Sequence, residues 1–361
     1  SDVYKRQVAY GDGSKIAYTS AGTAGQFLKS NGSSAPGFVT VTASTVGATA
    51  STVIASVDGT SITNAYTRPP SDMLGDFRSV ADFAPAGSLS NSSYDWTTAI
   101  QNAVDSLGSG GTVYFPPKTT WYQVSGTITV AHANFCIDGS NAIIEMMADT
   151  TLFYLTEVRI TIKNFTVIPT TGISLTADSY IIDTSTNTGN TRFENINGSD
   201  VGSGFRVRGN YFRINDCNID PICQDGYGIY INCTSAGDGI GWITDCTLTG
   251  TPAKRPKACV FADDGGAIQI TSCEFEQCQY ALWLQPAVGV AAIGSFMASN
   301  TFFDTFDYAG VYFDNSVNPT AEFQRNVITG SWLSNGGSTL VSGAPNGTGF
   351  LVNNNTTIKS V

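Results

Sequence analysis

Six short segments share one pattern: GFRVRG at 204, GIYINC at 228, ACVFAD at 258, ALWLQP at 281, GVYFDN at 310 and GFLVNN at 349. Each begins with a small residue and then alternates inward and outward, the period of a strand with two different faces. Their spacings are 24, 30, 23, 29 and 39 residues. A second column keeps step with the first. RINDCNI, WITDCTL, QITSCEF, FMASNTF and EFQRNVI place Cys217, Cys246, Cys273, Asn300 and Asn326 in one position. Two columns in phase at a period of 20-odd residues require one supersecondary unit stacked on itself. The expected fold is all-β: a single-stranded, right-handed parallel β-helix over residues 79–361. Less regular early coils are read in NFCIDGSNAII, VRITIKNFTV and TRFENING. Cys217, Cys246 and Cys273 then form an internal ladder of reduced thiols, packed as small apolar groups.

Before the first coil, Trp96, Ala99, Ile100, Ala103, Val104 and Leu107 recur at helical spacing, with Asp95 placed to cap the start and Gly108 the end. That helix followed by GGTVYFPP resembles the opening of the pectate-lyase-like superfamily, whose members cover the end of a parallel β-helix with a capping helix. The usual Gly-Ala-Gly-Asp-Gly is replaced here by Ala84, Pro85, Ala86 and Gly87, so the resemblance lies in the pattern.

Residues 8–78 hold few large apolar side chains, too little for a compact core. Alternating pieces such as FVTVTAS and STVIASV read as strands that need partners from other chains, an extended stalk joined to the β-helix through TRPPSDMLGDF. Within it, AGTAGQFLKSNGSSAPGFVTV resembles the short repeats of bacteriophage tail fibres. Residues 1–7, SDVYKRQ, read as translated sequencing adapter, and the chain, stopping in NNNTTIKSV, reads as a piece of a longer protein.

The net charge of −11 argues against nucleic acid, which needs clustered Lys and Arg. No run of about 18 apolar residues is present to insert in a membrane, and no export signal is visible. One histidine, His132, and no Cys-x-x-Cys pair leave no basis for a zinc site; His132 reads as structural.

Aligned columns in a stack about 4.8 Å per coil become surfaces. The outward column reads Arg206, Tyr230, Val260, Trp283, Tyr312, with Arg208, Asn232, Ala262, Gln285, Asp314 beside it. Aromatic faces stack on sugars and the polar groups pair with hydroxyls, so Arg206, Arg208, Tyr230, Asn232, Trp283, Gln285 and Tyr312 are the expected substrate-binding residues on a polysaccharide. A neighbouring subunit covering the same face is the competing reading. Glycosidic hydrolysis uses two carboxyl groups, and an inverting pair stands about 6.5–9.5 Å apart. Asp314 and the Asp263–Asp264 pair lie two coils apart with Trp283 and Gln285 between them, and are the expected catalytic residues. Glu274, Glu276, Asp304 and Asp307 compete, whereas Asp216 and Asp245 read as turn residues.

Stalk, capping helix and β-helix follow in the order found in bacteriophage tailspikes, which this chain resembles over most of its length. The resemblance implies a homotrimer in the virion tail, outside the cell, held to other phage tail proteins by its N-terminal segment. It implies binding of bacterial surface polysaccharide, with cleavage by a glycosidase that needs no cofactor or metal. A lyase on acidic sugars is the alternative, with Lys254, Arg255 or Lys257 of PAKRPK as base and Ca²⁺ on aspartates. The polygalacturonase signatures Asn-Thr-Asp, Gly-His-Gly and Arg-Ile-Lys are absent. A non-catalytic adhesin or structural tail protein is the rival from another class; a secreted bacterial carbohydrate enzyme is less favoured.

Overall fold

The computed structural model describes residues 8–359 except 12–13, 21–22, 24–25, 32–33, 41–75, 187, 221, 234–238, 324–325, 336–338, 343–349 and 354–355. The adapter-like start, STVIASV and most of the Pro-Pro junction lie outside the described residues. Two units are present, Ser1–Gly75 and Asp76–Val361. The first contains two antiparallel hairpins, Ala9–Gly11 with Ile16–Tyr18 and Gln26–Asn31 with Ser34–Thr40. Ile16, Tyr18 and Phe27 are all more than half exposed.

The second unit is a parallel β-helix of about eight turns, and its strand Phe77–Ser79 already pairs with Thr112–Tyr114. Each coil contributes to three stacked ladders. One runs through Phe153–Leu155, Tyr180–Thr184, Ser203–Val207, Tyr227–Asn232, Ala258–Asp264 and the later halves of Glu274–Leu284 and Phe302–Phe313. A second runs through Asn210–Asn215, Gly241–Thr244, Ile268–Thr271 and Phe296–Ser299. The third includes Asn218–Ile219, Thr247–Thr249 and the start of Glu274–Leu284. The core is the inside of the coil, where Ile162, Phe193, Ile214, Ile243, Ile270 and Ala298 stack in register and are at most 2% exposed.

The bend from second to third ladder is a single residue in the left-handed region: Asn164, Asn195, Asp216, Asp245, Ser272, Asn300 and Gly330 all have φ between 48° and 62°. Asn and Asp tolerate that conformation best after glycine, so Asp216 and Asp245 are corner residues. The next residue faces inward, and from Asp216 onward its side chain bonds the carbonyl two residues back. Cys217, Cys246 and Cys273 reach the oxygens of Asn215, Thr244 and Thr271 at 3.3, 3.1 and 3.3 Å. Thr301 and Ser331 do the same with Ser299 and Thr329 at 3.0 and 3.2 Å. From Cys217 onward the position takes a small side chain with one donor, thiol or hydroxyl, whereas the earlier coils fill it with Phe165 and Ile196. The expected column is therefore corrected at its end: Asn300 is the corner and Thr301 the ladder residue, while Asn326 opens a strand of the second ladder. All eight cysteines are free.

The other column needs a shift of one residue. Val260 lies in the inward column between Ile229 and Leu282, and Phe261 stands between Tyr230 and Trp283. The small residue that opens each repeat explains the slip. A Cβ on Gly204 would meet the Gly228 oxygen at 2.3 Å, and one on Gly228 the Cys259 oxygen at 2.5 Å. In ACVFAD two small residues stand together, and Cys259 rather than Ala258 occupies the tight position.

The helix α1, Thr97–Asp105, buries Ala99, Ile100, Ala103 and Val104 over the end of the coil. Asp95 accepts the Thr97 amide at 2.9 Å, satisfying a first-turn donor. Across the helix, the Gln101 amide accepts from Thr129 N at 2.8 Å and donates to Thr129 O at 3.0 Å. One side chain thus pairs both polar groups of an edge-strand residue, which blunts the edge.

Candidate functional site

The outward face of the first ladder runs Tyr154, Asp183, Arg206, Tyr230, Phe261, Trp283, Tyr312 in register. A flanking set of rings lies beside it. Tyr227 stacks on Phe261 at 5.1 Å, and Tyr280 packs on Tyr312, Trp283 and Tyr308 at 4.9, 5.0 and 5.3 Å. Trp283 is consequently covered, at 7% exposure, by rings from neighbouring coils and by the Lys257 ammonium 4.7 Å from its centroid. The expected open tryptophan is a buried one. The accessible edge of the cluster is Tyr308, 55% exposed. Tyr308 lies where the pairing between Cys278–Phe306 and Tyr280–Ala309 shifts by one residue, a bulge that re-aims a side chain.

Three carboxylates are anchored on this face, each by side chains two apart on a neighbouring coil. Asp183 takes Arg206 Nε at 2.8 Å, with a further contact from the same guanidinium, and Arg208 at 3.2 Å. Asp263 accepts from Tyr230 Oη at 2.6 Å and Asn232 Nδ2 at 2.9 Å. Asp314 accepts from Gln285 Nε2 at 2.5 Å, Trp283 Nε1 at 3.3 Å and the Ser316 amide at 2.9 Å. Six of the seven expected sugar-binding residues therefore hold carboxylates, and Tyr312 belongs to the ring cluster. Asp183 was not among the expected site residues; its signal was its place in the outward register one coil before Arg206.

Asp263 and Asp314 differ in kind. Asp263 is the extra residue of a β-bulge: Ile231 pairs with Ala262 and Asn232 with Asp264. Its Oδ1 is buried without a partner. Burial pushes its pKa up, and the hydrogen bonds from Tyr230 and Asn232 do not reverse that. Asp264 is 8% exposed and also raised by burial. For Asp314, burial works upward, but the bonds from Ser316, Gln285 and Trp283 outweigh it and hold the carboxyl below its ordinary value. Burial raises one carboxyl and hydrogen bonds lower the other, the kind of environmental split that separates an acid from a base.

Three of the other carboxylates expected to compete, Glu274, Glu276 and Asp304, form a group on the third ladder. Thr249, Glu276 and Asp304 are in register, as are Thr247, Glu274 and Phe302. Burial, then the charge and hydrogen bond of Glu274, then Asp304 and Asp220, push Glu276 up to about 7. In PAKRPK, Lys254 pairs with Asp200 at 3.0 Å and Arg255 with Asp307 at 3.4 Å, leaving Lys257 over the aromatic face. His132 packs against Phe135, ring centroids 5.9 Å apart. Among the described residues, no three His, Cys, Asp or Glu side chains are grouped to hold a metal.

No protein family and no curated protein matches the sequence. Solved structures match the fold. A mutant of the tailspike protein of E. coli bacteriophage HK620 superposes with a TM-score of 0.65 at 13% identity, over 83% of this chain and 60% of that one. The same phage's tailspike in complex with a pentasaccharide gives 0.60 at 13%, over 82% and 59%. ORF18 of Geobacillus virus E2 gives 0.52 at 17%, over 80% and 61%. The chain shares the parallel β-helix of phage tailspike proteins and spans about three fifths of the length of these structures.

Proposed function

We propose that this chain is a phage tailspike that binds a bacterial surface polysaccharide along the aromatic face and hydrolyses it with Asp263 and Asp314. The observation that carries the reading is the placement of these two carboxyls two coils apart on one ring-lined face, each anchored by side chains of a neighbouring coil, with Asp263 raised by burial and Asp314 lowered by its hydrogen bonds. Their coils stand about 10 Å apart along the axis, so their side chains can approach the inverting separation of about 6.5–9.5 Å. Asp263, whose burial favours the neutral acid, gives a proton to the glycosidic oxygen. Asp314, ionised and oriented by Trp283 and Gln285, takes a proton from the water that attacks the anomeric carbon. Tyr308, Tyr280 and Tyr312 supply ring faces for the sugars beside that point. The HK620 structure with its pentasaccharide supports a glycan as ligand for this fold. In this reading the chain is one subunit of a homotrimer in the virion tail, attached to other tail proteins through residues 8–78.

A lyase is the second reading, favoured by Lys257 standing over Trp283, where an amine could abstract a proton from a bound uronate. Incubation with a panel of bacterial polysaccharides, following reducing ends and the absorbance of unsaturated uronates, separates the readings. Reducing ends alone, lost in Asp263→Asn and Asp314→Asn, support the hydrolase. Both signals, lost in Lys257→Ala, support the lyase. Binding without either signal leaves an adhesin. Hydrolysis that survives both aspartate substitutions but not Glu276→Gln would move the site to the third ladder.

A further inference from the structure

The second ladder carries a separate cleft of about 510 Å³ lined by Arg159, Asn190, Arg192, Tyr211, Arg213 and Trp242. Arg192, Arg213 and Trp242 occupy one outward column on successive coils, with the Arg213 guanidinium 5.0 Å from the Trp242 ring centroid. Arg159, Asn190 and Tyr211 lie two residues earlier on their coils, at φ of 58°, 53° and 59°. A left-handed backbone suits asparagine and strains a bulky side chain. An arginine and a tyrosine, the latter 44% exposed, nonetheless hold that place at the rim of the cleft.

The charge here runs against the rest of the molecule. In a chain of net charge −11, Arg206 and Arg208 share the carboxylate of Asp183 and Arg255 pairs with Asp307. Among the described residues, no carboxylate lies within ion-pairing distance of Arg159, Arg192 or Arg213. Guanidinium groups spaced by one coil rise, about 4.8 Å, flanked by two aromatic rings, match a glycan bearing carboxylates: the forks pair with the acid groups and the rings lie on sugar faces.

We propose that this cleft is a second carbohydrate site, which takes acidic sugar residues of the polysaccharide; the inference rests on the glycan-binding reading of the protein and concerns a different ladder of the coil. Titration of the full chain with tetragalacturonate, one carboxylate per sugar, and with neutral maltotetraose tests it. Tetragalacturonate binds and weakens as salt rises. The double variant Arg192→Ala/Arg213→Ala, with its melting temperature unchanged, weakens it by about tenfold or more. Absence of tetragalacturonate binding, or equal binding by the double variant, overturns the proposal. So does a double variant that changes the sedimentation of the protein, which would make the cleft a contact between copies of the chain. If the double variant still binds and cleaves the panel polysaccharide as the parent does, the aromatic-face reading stands and this inference alone fails.

Discussion

The strands from Tyr180 to Phe313 carry a ladder on each face, and both ladders bury large side chains. Inside, Ile182, Phe205, Ile229, Val260, Leu282 and Val311 stack with no polar atom to satisfy. Outside, Asp183, Arg206, Tyr230, Phe261, Trp283 and Tyr312 stack in the same register, yet three of these six coils bring a carboxylate, Asp183, Asp263 or Asp314, among the rings. Leu282 and Trp283 are 2% and 7% exposed, so burial alone does not distinguish the faces. What distinguishes them is that the outer rings bury hydrogen-bonding groups along with themselves, and this is what moves Asp263 and Asp314 in opposite directions.

The largest expected effect falls on the outer ladder. Asp263→Asn and Asp314→Asn each lower the hydrolytic rate by about 10²–10⁴-fold in a reducing-end assay, and their stabilities diverge. The raised pKa of Asp263 stabilises the fold at pH below its unfolded value and loses that contribution as pH rises through the folded one, so at neutral pH Asp263→Asn melts higher than the parent. The lowered pKa of Asp314 stabilises the fold above its unfolded value and loses that contribution as pH falls through the folded one, so Asp314→Asn melts lower at neutral pH. Equal shifts in one direction would break the contrast between the two sites.

Next in size is the inner ladder, where Leu282→Ala costs about 2–5 kcal/mol in chemical denaturation. Glu276 gives a smaller signal. Its folded pKa of about 7 lies above the ordinary value of 4.5, so its contribution is present below about 4.5 and is lost as pH rises through about 7. Melting temperature therefore falls between those values, and Glu276→Gln flattens that fall. The smallest effect on stability is that of Tyr308→Ala, within about 0.5 kcal/mol for an exposed ring; it weakens oligosaccharide binding instead, as titration with a panel-derived fragment would show.

Much of the fold was legible in the chain. The two columns gave the coil, the spacing from Trp96 to Leu107 gave the capping helix, and Cys217, Cys246 and Cys273 gave an inward ladder. The candidate site was legible as a set of residues and not as an arrangement. Asp263, Asp314, Tyr230, Asn232, Trp283 and Gln285 do come together, but as two carboxylates each held by its own donors. Asp183 and the rings of Tyr227, Tyr280 and Tyr308 that close over the face stood outside the pattern used to find them.

Sequence by itself determined the period of the coil, because side chains alternate along a strand and each coil must repeat the same inward positions to share a core. Only the tertiary structure decided the phase. In ACVFADD it is the pairing with the neighbouring coil, Tyr227 with Ala258 and Ile229 with Val260, that sets Cys259 rather than Ala258 opposite Gly228. A bulge at Asp263 then aims that carboxyl at Tyr230 and Asn232. Trp283 points away from Leu282 and Leu284, as alternation requires, and is buried because rings from the coils on either side close over it, contacts set by stacking between coils that no single strand contains.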